Sequence, residues 1–309
     1  MDQYFWNAYK RLEHELLALA DDIHICDDQL GVYSMKIGDL LLRAAIESEA
    51  LSKVLYYANG GMTPEGRDLY FDTDCFALLE EKWKISKKTI YVTTPNFYLQ
   101  DEENRVLKPL HKSYKRGSSS SQWQRAYQAV KHDRVHSLKK GNLSNLISAM
   151  GAIYILNIYY RNTHYTNIAD VNGSDIDWGL GSELFSVKIS PESDATSLNE
   201  IYQKKEDYDE CIYLIKHTDE TAQKLIDFNK EISEKAVSDT MVKAVQKLNS
   251  QLKSGELSGE MSLLLEQLQK QINENQEESY IKLVKEKRSE FMHVMSSLKL
   301  EAVLNKQQY

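Results

Sequence analysis

The chain has 309 residues, of which 38 are Lys or Arg and 46 are Asp or Glu, so its formal net charge is -8. This acidic balance argues against general nucleic-acid binding, and no apolar run reaches the roughly 18 residues that a membrane span requires. The three cysteines lie far apart and form no Cys-x-x-Cys or Cys/His cluster, which argues against a disulfide framework and a structural zinc site.

Two helices are predicted at the start of the chain, over residues 3–20 and 32–57. In the second, apolar residues recur at nearly helical spacing and form one stripe. They are Ile37, Leu41, Ala44, Leu51 and Leu55. The first segment lacks the basic start and the continuous apolar run of a secretory signal, so we expect a cytoplasmic protein.

The middle of the N-terminal half changes character. Residues 88–95 are β-branched and aromatic and end at Pro95, which predicts a short strand or β-hairpin inserted between helices rather than a sheet domain. Residues 117–122, Gly followed by four Ser and a Gln, have the composition of a flexible linker.

Two further helices are predicted over residues 123–138 and 143–160. Gly141 is suited to end the first, and Asn142 is suited to cap the second. The second is apolar on most sides, so we expect it at the centre of the core. Four helices, the last two in an antiparallel hairpin, predict a compact bundle over residues 1–162.

The rest of the chain is predicted to be mostly helical. A mixed connector over residues 163–219 contains two short strand-like runs, at 183–189 and 211–216. Residues 220–309 contain almost no Gly or Pro and predict a helical hairpin, with helices over 220–252 and from 260 to the end. A coiled-coil arm is the alternative, although a polar run interrupts its apolar seam. The fold class is therefore mainly α.

Residues 111–140 form a cationic island with a net charge of +7, because eight Lys or Arg side chains face one acid, Asp133. Such an island in an acidic protein predicts a site for a polyanion, for which phosphates are the usual candidate. The alternative is a solvated basic helix face that pairs with acidic surroundings.

Helical spacing divides the residues of this island into two faces. Trp123, Tyr127 and Val130 share a stripe that we expect to face the core, while Arg125 and His132 lie two turns apart on another stripe. An Arg and a His suit phosphodiester chemistry, because Arg neutralises charge on the phosphorane and His transfers a proton near neutral pH. No metal ion is needed if the nucleophile is the 2′-hydroxyl of RNA itself.

Three stretches resemble the HEPN superfamily, the helical-bundle proteins of bacterial toxin–antitoxin and phage-defence systems. One is Tyr33-Ser34 with the helical segments 39–43 and 47–53; the second is Trp123-x-x-x-Tyr127-x-x-Val130-Lys131-His132-x-Arg134; the third is the apolar segment 142–156. The resemblance covers residues 1–162 and implies an N-terminal HEPN-like helical bundle. It does not extend to the remaining residues.

The resemblance also implies an active site. Active members carry an Arg-x4-6-His motif that acts as a metal-independent endoribonuclease, usually assembled across a dimer interface. Arg125 and His132 match this motif with six intervening residues, although Ala126 stands where the family often has Asn. An acid on the second helix often orients the motif Arg in this family, and Glu47 and Glu49 occupy that place. The alternative is an ordinary solvated i,i+4 pair of Arg43 with Glu47, or of Glu49 with Lys53.

The leading hypothesis is therefore an endoribonuclease or RNA-binding effector of a bacterial defence or toxin system, a homodimer without cofactor or metal, with Arg125 and His132 as catalytic residues. Lys131, Arg134 and His136 would bind the substrate, and Tyr127 would position the helix. The alternative is a non-catalytic HEPN-like scaffold that binds a co-encoded protein through its C-terminal helices. A nucleotide sensor is a weaker third hypothesis, because no Gly-rich phosphate loop is present.

Overall fold

A computed structural model of the protein describes residues 3–191, 202, 204–254 and 261–309, and these residues are mainly helical. They fall into two compact units. The first comprises residues 3–191, 204–216 and 301–309, and the second comprises residues 217–254 and 261–300 together with residue 202. This division differs from the predicted boundaries, because most of the predicted connector and the last nine residues belong to the first unit.

Seven helices build the described part of the first unit. They are α1 (Tyr4–Leu17), α2 (Met35–Ala58), α3 (Ala77–Trp83), α4 (Glu102–Arg105), α5 (Gln122–His132), α6 (Arg134–Ser137) and α7 (Leu143–Arg161). A π-helical segment, Phe71–Phe76, leads into α3. The predicted helix over 123–138 is broken, because Asp133 leaves helical geometry with φ -147° and ψ 76° and starts α6 instead.

The four long helices of this unit pack together as a bundle. α2 and α7 form the most extensive pair, and α1 and α5 pack against both of them. As predicted, Asn142 caps α7 by accepting a hydrogen bond from the backbone N–H of Asn145. α7 is long and apolar enough to cross a membrane, but 83% of that window is buried inside the protein, as expected of a core helix.

Within the described residues, seven short strands accompany the helices. They are β1 (Ile90–Val92), β2 (Val106–Leu107), β3 (Tyr165–Ile168), β4 (Phe185–Val187), β5 (Ile189–Ser190), β6 (Tyr213–His217) and β7 (Leu300–Leu304). They form a sheet in the order β2-β1-β4 and another in the order β3-β7-β6-β5. A short strand, β1, lies in the predicted segment 88–95. It does not form a local hairpin there, because it pairs antiparallel with β2, which follows α4, on one side and with β4 on the other.

The second unit contains a helical hairpin. α8 (Asp219–Lys253) packs against α9 (Met261–Glu286), and α10 (Arg288–Ser296) follows. Its core contains Phe228, Ile232 and Leu283. The predicted start of the last helix at residue 260 lies outside the described residues. The prediction that this helix continues to the end is wrong, because β7 follows α10 and is paired in a sheet.

Candidate functional site

Helix α5 presents one buried and one exposed face, and this division positions the candidate site. The helix begins at Gln122 because Ser121 and Gln124 form a capping box, in which each side chain satisfies a backbone N–H of the other. Trp123 and Tyr127 are fully buried in the bundle, as the sequence predicts. Arg125 and His132 are exposed on the other face.

Arg125 is held by the turn that precedes its helix. Its Nη1 donates hydrogen bonds to the carbonyl oxygens of Ser118 (2.8 Å) and Ser120 (3.1 Å). Gly117–Ser119 forms a 3-10 turn and Ser120 and Ser121 are buried, so this segment is an ordered turn and not the predicted flexible linker. The guanidinium is therefore fixed at the surface, and its other N–H groups make no hydrogen bond within the described residues.

His132 is the last residue of α5, and its side chain has no hydrogen-bond or ion-pair partner among the residues that the structure describes. It follows Arg125 by seven residues, which is about two turns and about 10.5 Å of axial rise. The two side chains therefore share an exposed stripe but do not touch. A single chain does not bring them to one point.

Tyr127, Lys131 and Glu49 form a cluster beneath this stripe. Lys131 Nζ donates to the Tyr127 hydroxyl at 3.2 Å, and the hydroxyl also interacts with the Glu49 carboxylate on α2. Burial raises the pKa of Tyr127, and the nearby Glu49 charge adds to this rise. Burial also raises the pKa of Glu49, while the charge of Lys131 opposes this. Glu49 thus supports α5 through Tyr127 and does not contact Arg125.

Glu47 lies elsewhere on α2. It lines a cleft of about 300 Å³ between α1 and α2, together with Arg11 and Arg43. Burial raises its pKa, and the charge of Arg43 opposes the rise. Arg43 itself makes an ion pair of 2.7 Å with Glu15 on α1, not the hydrogen-bonded Arg43–Glu47 pair that helical spacing allows. Glu47 therefore does not meet the Arg125–His132 stripe.

Arg134 and His136 are both engaged with acids. Arg134 Nη1 lies 2.8 Å from Asp39 Oδ1, which ties α6 to α2. His136 Nδ1 lies 2.9 Å from Asp133 Oδ1, and the same carboxylate accepts a hydrogen bond from the His136 backbone N–H. These contacts stabilise the break between α5 and α6. Any phosphate bound there would compete with Asp39 or Asp133.

Three adjoining clefts surround Arg125, and that side chain lines all of them. We name them the Lys112 cleft (about 300 Å³), the Tyr70 cleft (about 390 Å³) and the Lys140 cleft (about 440 Å³). Their cationic side chains form what we call the basic face. It consists of Lys108, Lys112, Arg116, Arg125, Lys139 and Lys140.

The basic face is only partly neutralised. Lys108 makes an ion pair of 2.6 Å with Glu210, and Arg116 lies 3.9 Å from Asp72. Lys112, Lys139 and Lys140 have no ion-pair partner within the described part of the chain. The cationic island is evident in the sequence. Lys108 and the acidic and aromatic residues near position 70 precede it and join it only through folding, so they were not predicted.

His111 lies in the same region, on the wall of the Lys112 cleft. Burial lowers its pKa, and the positive charges of Lys112, Lys108 and Lys115 lower it further. The lowered pKa favours the neutral imidazole, which contributes hydrogen-bonding capacity to the basic face.

Comparisons with models of protein families, with curated proteins and with solved structures find no match to this chain. The interpretation of the site therefore depends on its own geometry and chemistry.

Proposed function

We propose that this protein binds RNA on its basic face and cleaves it without a metal ion, at a site to which two copies of the chain contribute Arg125 and His132. The observation that carries this proposal is the exposed stripe of α5, beside a surplus of positive charge. There a fixed guanidinium faces solvent together with an imidazole that has no partner among the described residues. The buried face of α5 already has its packing partners, so the exposed face is available to ligands.

The chemistry requires only these two groups and the RNA. An imidazole removes the proton from a 2′-hydroxyl, whose oxygen attacks the adjacent phosphorus atom, and the bond from phosphorus to the 5′-oxygen breaks. The imidazolium then gives this proton to the leaving 5′-oxygen, so the imidazole is regenerated, and the products carry a 2′,3′-cyclic phosphate and a 5′-hydroxyl. The guanidinium stabilises the added negative charge on the phosphorane with directional N–H donors.

A twofold axis explains how separated residues can cooperate. The midpoint between Arg125 and His132 falls beside Gln128, which lies between them on the stripe. If two α5 helices cross antiparallel at this residue, Arg125 of each copy lies opposite His132 of the other. Each dimer then contains two equivalent sites. The partly unpaired lysines of the basic face hold the RNA on either side.

The proposal is tested with purified protein, total tRNA and a mixed single-stranded RNA in EDTA, followed by analysis of the fragment ends. We expect cleavage that leaves 2′,3′-cyclic phosphates, and its loss in His132→Ala. Lys243→Ala, on the exposed surface of α8, is the control. An active His132→Ala protein, or an inactive wild-type protein of dimeric mass, would contradict the proposal.

A second candidate function is a non-catalytic scaffold that binds a co-encoded protein through the C-terminal helices. One observation favours it: the second unit exposes several large apolar side chains, although scattered exposed apolar residues are common. They are Met241, Val242, Leu265, Ile281, Met292 and Met295. This function predicts a stable complex with the co-encoded protein and no RNA cleavage at any protein concentration.

A further inference from the structure

The Tyr70 cleft adjoins Arg125 and differs in chemistry from the rest of the basic face. The 70–72 segment, which precedes α3, forms one side of the cleft, and the turn at Arg116–Ser118 and helix α5 form the other. Its volume of about 390 Å³ lies in the range of small-ligand sites. It combines aromatic side chains and an acid, whereas phosphate sites are lined by cations and N–H donors.

Asp72 is the acid in this cleft, and it is only 8% exposed. Its Oδ1 accepts hydrogen bonds from the Thr73 backbone N–H (2.7 Å) and, more weakly, from the Thr73 hydroxyl (3.4 Å). Its Oδ2 makes no hydrogen bond within the described residues and lies 3.9 Å from Arg116 Nε. A carboxylate this buried is costly unless its oxygens are satisfied, so Oδ2 is an acceptor that a ligand can complete.

The flat side chains of the cleft supply a stacking surface. The Arg116 guanidinium lies over the Tyr70 ring at 3.9 Å from its centroid, and Phe71, also in the lining, is only partly buried. Stacked guanidinium planes and aromatic rings are the surfaces on which proteins hold unstacked RNA bases. A planar ligand with hydrogen-bond donors on its edge therefore fits both features of the cleft.

We propose that the Tyr70 cleft binds a guanine base of single-stranded RNA, an inference that rests on the proposed function of the neighbouring Arg125. Guanine carries two adjacent donors, N1–H and N2–H, on its pairing edge. The Asp72 carboxylate can accept one at Oδ2 and the other at Oδ1, where it replaces the weak 3.4 Å contact from the Thr73 hydroxyl. Arg116 or Phe71 stacks on the face of the base. Arg125, on the wall of the same cleft, contacts the phosphate attached to that nucleoside.

The other bases match a carboxylate less well. On the pairing edges of adenine and cytosine, the amino donor lies beside a ring-nitrogen acceptor, which repels the second carboxylate oxygen. Uracil places its single N3–H between two carbonyl oxygens, with the same result. The cleft therefore discriminates by the number of adjacent donors, and inosine, which is guanosine without the N2 amino group, is the matched probe.

The test is equilibrium binding, by fluorescence anisotropy, of 2′-O-methyl tetranucleotides that the enzyme cannot cleave. Each contains a single guanosine, inosine or adenosine among uridines. We expect the wild-type protein to bind the guanosine oligonucleotide roughly tenfold more tightly than the inosine one, because one charge-assisted hydrogen bond is lost. Asp72→Asn removes this difference, whereas Asp68→Asn, an exposed acid four residues earlier with the same charge change, retains it.

Equal binding of the guanosine and inosine oligonucleotides by the wild-type protein would overturn the inference, as would an Asp72→Asn protein that is folded by circular dichroism and still discriminates. If RNA is bound and cleaved without base preference, the guanine site fails while the proposed function stands. If no oligonucleotide binds, both fail. Guanosine-selective binding without cleavage of ordinary RNA would support the guanine site and contradict the proposed nuclease activity.

Discussion

Arg125 and His132 occupy the same exposed stripe of α5, seven residues and about 10.5 Å of axial rise apart, with no contact between their side chains. The carbonyl oxygens of Ser118 and Ser120 fix the position of Arg125, so it does not swing toward His132. Cooperation between the two residues on one phosphate therefore requires a second copy of the chain.

Mixed dimers test this requirement. Arg125→Ala and His132→Ala chains are each expected to be inactive alone, but a dimer of one with the other holds one intact pair. Random mixing makes about half of the dimers heterodimers, each with one site of two, so about a quarter of wild-type cleavage should return. The control mixes Arg125→Ala with the double variant, whose heterodimers contain no intact pair. Recovery in neither mixture would contradict a shared site.

Lys139 and Lys140 lie beside Arg125 on the Lys140 cleft and have no ion-pair partner within the described residues. Changing both to Ala should weaken RNA binding at low salt, because each lysine that contacts a phosphate releases counterions. The slope of log K against log salt should fall by about 1.4 for two contacts to single-stranded RNA. Lys243→Ala with Lys247→Ala, exposed on α8, removes the same charge and should leave the slope unchanged. An equal decrease of the slope in the two double variants would indicate a non-specific charge effect.

Local patterns predicted the helical part of the fold well. The Asn142 cap and the buried stripe of Trp123, Tyr127 and Val130 are encoded within a few residues, and the structure confirms both. The pairing of strands that lie far apart along the chain was not predicted. The apolar residues of β7 continue the helical spacing of the residues before them. This segment is a strand because it pairs with strands that are distant along the chain.

Part of the candidate site was likewise predicted from the sequence, and part of it was not. Arg125 and His132 were identified from their spacing on one helix, and their exposure agrees with that identification without testing catalysis. The separate positions of Glu47 and Glu49 were not predicted, since both were expected to serve Arg125. They lie two residues apart, so helical geometry directs them to different faces, one toward α1 and the other toward Tyr127.

The bundle core is tested by an alanine scan of two isoleucines. Ile153 in α7 is fully buried, whereas Ile46 in α2 is 53% exposed. Ile153→Ala should lower the free energy of unfolding by about 2–5 kcal/mol, because a cavity remains where the side chain packed. The same change at Ile46 should alter it by about 0.5 kcal/mol or less. Urea denaturation measures both, and similar losses at the two positions would contradict the described packing.

Lys88 makes the free energy of unfolding depend on pH, and this contribution can be measured separately. This lysine is fully buried, and its Nζ donates to the backbone carbonyl oxygen of Cys211 at 3.0 Å. Burial away from water lowers its pKa from 10.5 to about 7. At a pH between these two values, Lys88 is protonated in the unfolded chain but not in the folded chain. The contribution of Lys88 to the free energy of unfolding therefore rises with pH across this window and is constant below it.

Lys88→Met lacks this contribution. The free energy of unfolding of the variant minus that of the wild-type protein should therefore fall as pH rises from 7 to 9, with a slope of at most about 1.4 kcal/mol per pH unit. Taking the difference cancels the titrating groups that do not interact with Lys88. Lys82→Met, at an exposed position of α3, should give a difference that is constant with pH. If the free energies of unfolding of Lys88→Met and wild type change with pH in parallel, the folded protein keeps Lys88 protonated, with water reaching its ammonium group.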